Sequence, residues 1–154
     1  MGGYPHGEIA AEVVLRSMGL AFRREARSEL DDPIRFLRNG VLDAHHAIAI
    51  EAKQRGLDTV PRTTCVACVI QRGVAYWAHA GDSRLYLLRQ GRVALQTRDH
   101  SQVQRLIDTG QIREEVASSH PGRNRIYSCL GGNELPMLSL SQGARLNEGD
   151  IVLL

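Results

Sequence analysis

Aromatic residues are scarce, at 5% of 154 residues with a single tryptophan, and among the 19 basic side chains only Lys53 is a lysine. Nucleic-acid surfaces combine a continuous basic stripe with stacking rings. Here the densest basic cluster, Arg23, Arg24 and Arg27, is interleaved with Glu25 and Glu29, has only Phe22 beside it, and belongs to a chain of formal net charge +2. That pattern reads as a solvated helix face, so no nucleic-acid partner is expected. Long apolar runs are missing too, since nothing approaches the ~20 residues that a membrane-crossing helix requires. The opening Met1-Gly2-Gly3-Tyr4-Pro5-His6 has neither the basic nor the apolar region of an export signal, so no membrane association and a cytoplasmic location are expected. Cysteine occurs three times, an odd number that argues against a disulfide framework. Cys65 and Cys68 stand in the β-prone run from Thr64 to Ile70. Residues so spaced point to opposite faces of a strand, so the pair cannot share a metal and is expected to pack as small hydrophobes.

What is present is an ordinary globular balance, 43% hydrophobic and 23% charged, enough for one core. The region from Gly7 to about Gly56 is helical in character. Ile9, Ala10, Val13 and Val14 form an apolar stripe, and Glu12 precedes Arg16 by one helical turn, the favourable order for an ion pair. Asp32-Pro33 opens a second helix as cap and first-turn proline, with Ile34, Leu37, Val41, Leu42, Ile48 and Ala52 on one side and a stop near Gly56. Gly40 inside it costs about 1 kcal/mol relative to alanine and weakens the helix there. His45 and His46 lie ~100° apart around the axis, cannot face one ion, and read as ordinary helix residues.

From Thr63 to Ile70 both alternations are apolar, which predicts a central strand covered on both faces. Turns at Gln71-Arg72-Gly73, Gly81-Asp82-Ser83 and Gln90-Gly91 then separate strands over Val74 to Ala80, Arg84 to Arg89 and Arg92 to Gln96. This predicts an antiparallel meander, and helices before strands indicate an α+β layered domain. Asp99 and Gln102 have capping-box spacing for a short helix with Val103, Leu106 and Ile107 inward and Gly110 at its end. A further helical turn is expected over Arg113 to Ala117, and Ser118 to Asn124 reads as a surface loop of the kind that borders a site. At the C-terminal end, Asn147 to Asp150 launches an apolar strand with no polar exit, and at the other end the glycine pair has no preceding strand to turn from. The sequence therefore reads as cut at both ends.

Six landmarks in order carry a family resemblance. Ala80-Gly81-Asp82-Ser83-Arg84-Leu85-Tyr86, then Gly91, then Thr97-Arg98-Asp99-His100-Ser101 resemble the central signature of the bacterial metal-dependent protein phosphatases of type 2C, the PPM family. Thr63-Thr64 before the strands, Arg123-Asn124-Arg125-Ile126 with Leu130-Gly131, the ending Gly149-Asp150-Ile151-Val152-Leu153-Leu154 and the opening Met1-Gly2-Gly3 match in sequence order. The departures are Arg62, where the family usually has glycine, and Tyr4-Pro5-His6, where a histidine commonly follows the glycines.

The resemblance implies a four-layer α-β-β-α sandwich of antiparallel sheets, here incomplete, as one partial domain over 1–154 with a flap-like segment at about 100–130. It implies hydrolysis of phosphoserine or phosphothreonine in proteins at a binuclear manganese or magnesium site. Two such ions about 3.5–4 Å apart share and acidify a water and neutralise the phosphoryl oxygens. The implied partners are phosphoproteins and a cognate serine/threonine kinase system. Asp82 maps onto a family metal position, that of the more weakly held third ion; the alternative is a turn aspartate bonding its own backbone. Met1, Gly2 and Gly3 would line the substrate site. The other family carboxylates would fall before Met1 and after Leu154, so no catalytic residue is assigned, and the isolated chain is expected to be inactive. Asp99 and His100 are expected to cap and pack. The alternative function is a non-catalytic, phosphoprotein-binding or regulatory module of the same fold.

Overall fold

The apolar stripes become two long helices packed on each other in the computed structural model, which describes residues 4–26 and 28–154. In chain order the elements are α1 (Gly7–Glu25), α2 (Pro33–Gln54), β1 (Arg62–Thr63), β2 (Cys65–Gln71), β3 (Val74–Ala80), β4 (Tyr86–Arg89), β5 (Arg92–Gln96), α3 (Gln102–Asp108), a 3₁₀ turn (Glu114–Ser119), β6 (Leu130–Gly131), β7 (Ser139–Leu140), β8 (Ala144–Arg145) and β9 (Ile151–Leu153).

Helix α1 buries Ala10, Val13, Val14 and Ala21, and α2 buries Phe36, Leu37, Val41, Ala44, Ile48 and Ala52. The start of α2 is as expected: the Asp32 carboxylate accepts the N–H of Arg35 at 2.9 Å, with Pro33 in the first turn. Gly40 does not interrupt the helix. A Cβ there would stand 2.8 Å from Met18 Sδ of α1, so the missing side chain lets the two helices approach. Arg16 reaches Glu51 of α2 at 2.5 Å instead of Glu12, and Arg55 joins the same carboxylate at 2.7 Å.

The helices cover one face of a sheet in which Cys65, Ala67 and Val69 of β2 and Tyr76, Ala78 and Ala80 of β3 belong to the core. Cys65 is buried there, with its thiol pushed up to about 11 by burial. Cys68 lies on the opposite face, its thiol also raised by burial, so both act as packing residues. Strand β3 is the central one, with β2 on one edge and β7 and β8 on the other. The expected central strand over Thr63 to Ile70 is therefore corrected to an edge strand, and it divides at Thr64, because β1 pairs with β6 in a separate ribbon. Alternation reports which faces are covered and is silent on which edges are paired.

The meander is corrected as well. Strand β4 lies between β5 and β9 in a second sheet, so the chain crosses from one sheet to the other between Ala80 and Tyr86. Leu85, only 1% exposed, enforces the crossing: its N–H donates to Thr97 Oγ1 and its carbonyl accepts the Thr97 N–H, both at 3.0 Å. These bonds tie it to the segment after β5 instead of letting it fold back on β3. At the other edge, Arg89 clamps Asp150 at 2.7 Å just before β9. That guanidinium, with the N–H of Asn147, holds the Asp150 carboxyl down at about 2.

Ser101, not Asp99, caps α3, accepting the N–H of Gln104 at 3.1 Å. The bridge between Ser101 and Ile126 fixes where the helix begins, and Asp99 turns to Arg84. The 3₁₀ turn replaces the expected helical turn and is packed against α3. Antiparallel sheets with a helical layer over the first make this an α+β fold.

Candidate functional site

Between β3 and β4, Gly81 has φ +109, and a Cβ on it would sit 2.3 Å from Thr64 Cγ2. Only glycine permits this approach, which brings the Thr63-Thr64 segment against the Gly81-Asp82-Ser83 turn. The contact is closed by a 2.7 Å hydrogen bond between the hydroxyls of Thr64 and Ser83. His100 fastens the same turn from the other side. Its backbone N–H donates to the Gly81 carbonyl at 2.9 Å, and its Nδ1 accepts the Gly81 N–H at 3.3 Å. Nε2 then donates to Ser139 Oγ at 2.9 Å. Burial, aided by stacked His79 and opposed by Asp99, brings the His100 pKa down to about 4, so the ring is the neutral acceptor that this arrangement needs. Arg84 grips both Asp99 oxygens at 2.6 Å. Residues far apart in the sequence motif are thus bonded to one another, and their joint effect is to hold Asp82.

The Asp82 side chain is exposed and has no hydrogen-bond or ion-pair partner among the described residues, so it is not a turn aspartate bonded to its own backbone. It lines a cleft of about 700 Å³ with Thr64 and Ser83 on one wall and Asn124, Arg125 and Ile126 on another; Tyr4, Arg62 and Cys129 complete it. The expected substrate-proximal residues Met1, Gly2 and Gly3 lie outside the described residues. His100 packs as expected, whereas Asp99 pairs with Arg84 instead of capping. One residue of the cleft and one structural histidine escaped the sequence reading. Arg62 stood out only as a departure from a family pattern, yet it borders the cleft. His45, read as an ordinary helix residue, is buried and accepts the Gly131 N–H at 3.1 Å, pinning β6 to α2.

Among the described residues Asp82 is the one carboxylate lining the cleft, and the side chains of Arg62 and Arg125 line it as well. Among the described residues no group of three or more His, Cys, Asp or Glu converges as a metal cluster. Manganese and magnesium take ~6 oxygen ligands each, several of them anionic, so these side chains do not fit a pair of divalent cations. A lone exposed carboxylate holds such an ion weakly. Adding about 1 mM manganese is therefore expected to move the thermal midpoint by less than about 1 °C, because stabilisation scales with the ratio of ligand to dissociation constant. A rise of several degrees in a melting curve would show that other donors join Asp82.

Residues 3–106 match the family model described as protein phosphatase 2C. The serine/threonine phosphatase stp of Listeria welshimeri is 31% identical over 132 residues, covering 85% of this chain and 52% of that protein. The chain thus spans about half the length of that curated relative. The serine/threonine phosphatase Stp1 from Staphylococcus aureus superposes with a TM-score of 0.85 at 32% identity, over 96% of this chain and 57% of that one. The catalytic domain of the serine threonine protein phosphatase PstP in complex with 2 manganese ions superposes with a TM-score of 0.75 at 30% identity, over 97% and 60%. No described helix is long and apolar enough to cross a membrane.

Proposed function

Since the chain belongs to the protein phosphatase 2C family, we propose that it serves as a serine/threonine protein phosphatase unit directed at phosphoserine and phosphothreonine in proteins. The observation that carries this reading is the convergence of the motif segments on one cleft: Thr64, the adjacent pair Asp82 and Ser83, and Asn124 come from three separate stretches of family likeness and share its walls. Hydroxyl and amide groups there donate to phosphoryl oxygens, and the two guanidiniums balance a dianion. Asp82 offers the one anionic oxygen pair. In this reading these residues bind and orient a phosphorylated side chain, and the scarcity of anionic donors among the described residues supports an expectation of hydrolysis at or near background in the isolated chain. The segment from Gln111 to Arg123 acts as a flap beside the cleft, a role supported by its exposed 3₁₀ turn and by Asn124 and Arg125 at its end lining the site. A cytoplasmic setting opposite a serine/threonine kinase completes the proposal.

One observation favours the second reading, a phosphoprotein-binding module without turnover: the cleft holds a single carboxylate against two arginines. Titration of the chain with a phosphothreonine peptide and its unphosphorylated twin, with and without manganese, separates the outcomes by binding and by released phosphate. Preference for the phosphorylated peptide with release near background is expected. Rapid manganese-dependent release gives the chain the full enzymatic activity, and equal binding of the two peptides removes both readings.

A further inference from the structure

The two departures from the family pattern meet in space. Arg62 Nη1 donates to the Tyr4 hydroxyl at 3.1 Å, and the guanidinium carbon lies 4.8 Å from the centre of the Tyr4 ring. On its other side, a Cβ added to Gly132 would come within 2.8 Å of Arg62 Nε. Backbone pairing of Arg62 with Gly131 fixes the root of the side chain. The head group is therefore positioned before any ligand arrives.

Its charge is uncompensated. Among the described arginines Arg62 and Arg89 are half-buried and the rest exposed; Arg89 pairs with Asp150, whereas Arg62 has no carboxylate partner among the described residues. A guanidinium has five N–H donors in a fork that matches phosphate oxygens, and the Tyr4 hydroxyl uses one of them. A partly desolvated cation without a counter-charge, facing a cleft lined by hydroxyls and an amide, calls for an anion.

We propose that Arg62 is the anchor for the phosphoryl group of a phosphomonoester in this cleft, steadied by Tyr4 and Gly132. The identification of the anion as phosphorylated serine or threonine rests on the function proposed above; the anion site itself does not. Arginine at this position substitutes a fixed fork for the open space that glycine leaves, so the cleft selects a doubly charged headgroup that its single carboxylate would otherwise repel.

The test is a pair of titrations, inorganic phosphate and a phosphothreonine peptide, followed by NMR shifts or calorimetry on the wild-type chain, R62A, R62K and R125A. Wild type is expected to bind both, more weakly at higher salt. R62A should weaken binding at least tenfold and R62K about threefold to tenfold, since lysine keeps the charge and loses the fork. R125A, on the exposed side of the cleft, should change it less than R62A. Unaltered thermal midpoints show that the variants fold, and if R62A does not fold, the R62K result decides. Phosphate binding that depends on Arg62, with no preference for the phosphopeptide, keeps the anion site and removes the phosphoprotein reading. Phosphopeptide binding unchanged in R62A and R62K overturns the anchor and leaves that reading intact, and a wild type that binds neither ligand overturns both.

Discussion

Replacing Gly131 with alanine is expected to cost roughly 3–4 kcal/mol and lower the thermal midpoint by about 10 °C. Gly131 has φ +79, and a Cβ on it would lie 1.9 Å from the carbonyl oxygen of Pro61 and 3.2 Å from Ile48 Cγ2. The left-handed conformation alone costs a side-chain-bearing residue about 1–2 kcal/mol. The remainder comes from the clash, which no rotamer change relieves, because the obstacle is backbone of a fully buried residue. Moving the strand would break the pairing of Gly131 with Arg62 and the bond from its N–H to His45. Gly56 is the control: its φ is +64, but nothing lies within 4 Å of an added Cβ, so alanine there should cost only the conformational penalty. Urea unfolding of the two variants checks the difference. Equal losses would mean that the close approach at Pro61 is wrong.

The second large effect is acid lability. In the folded protein His100 titrates at about 4, against an ordinary histidine value near 6.5, mainly because it is buried; stacked His79 adds to this and Asp99 opposes it. Above pH ~6.5 the ring is neutral in both states and its native bonds to Gly81 and Ser139 are intact. As the pH falls, the unfolded chain takes up the proton first, so stability declines between pH ~6.5 and ~4 and levels off below. The full loss for this one residue is of order 3 kcal/mol. His45, lowered by burial and by neighbouring His46, adds to the loss in the same direction. Denaturant midpoints measured across this range should show the decline, and His100→Gln should flatten it while lowering stability at pH 7. A variant whose pH dependence matches wild type would remove His100 as the cause. Because His100 holds Gly81, the same acidification loosens the turn that carries Asp82.

The helices were legible because their signals are local. Asp32 caps α2, and the apolar stripe of α1 buries Ala10, Val13 and Val14 and partly covers Ile9, since both features follow from the helix repeat and its unsatisfied end groups. Asp99 shows the limit: it has capping-box spacing, but Ser101 is also a good cap, and the choice was made by the bridge to Ile126 and by Arg84. The short strands β1, β6, β7 and β8 have two residues each and too little pattern to be read at all. Of the site, Asp82 was found through its motif. Arg62 and Tyr4 were visible only as misfits, and their contact spans a separation along the chain that no spacing rule addresses.

Sequence alone determined that two amphipathic helices precede a set of antiparallel strands, that the cysteines pack instead of ligating, and that the motif order is that of a type 2C phosphatase. Each of these is written in neighbouring residues or in their order. Tertiary structure alone decided that β3 and β4 part into different sheets, that Gly40, Gly81 and Gly131 are spaces for other atoms, and that Arg62, with no ion-pair partner among the described residues, faces the cleft that Asp82 lines. Those facts depend on which distant surfaces come into contact, and contact free energy is set by shape, burial and charge at the meeting point, quantities that exist only once the chain has closed on itself.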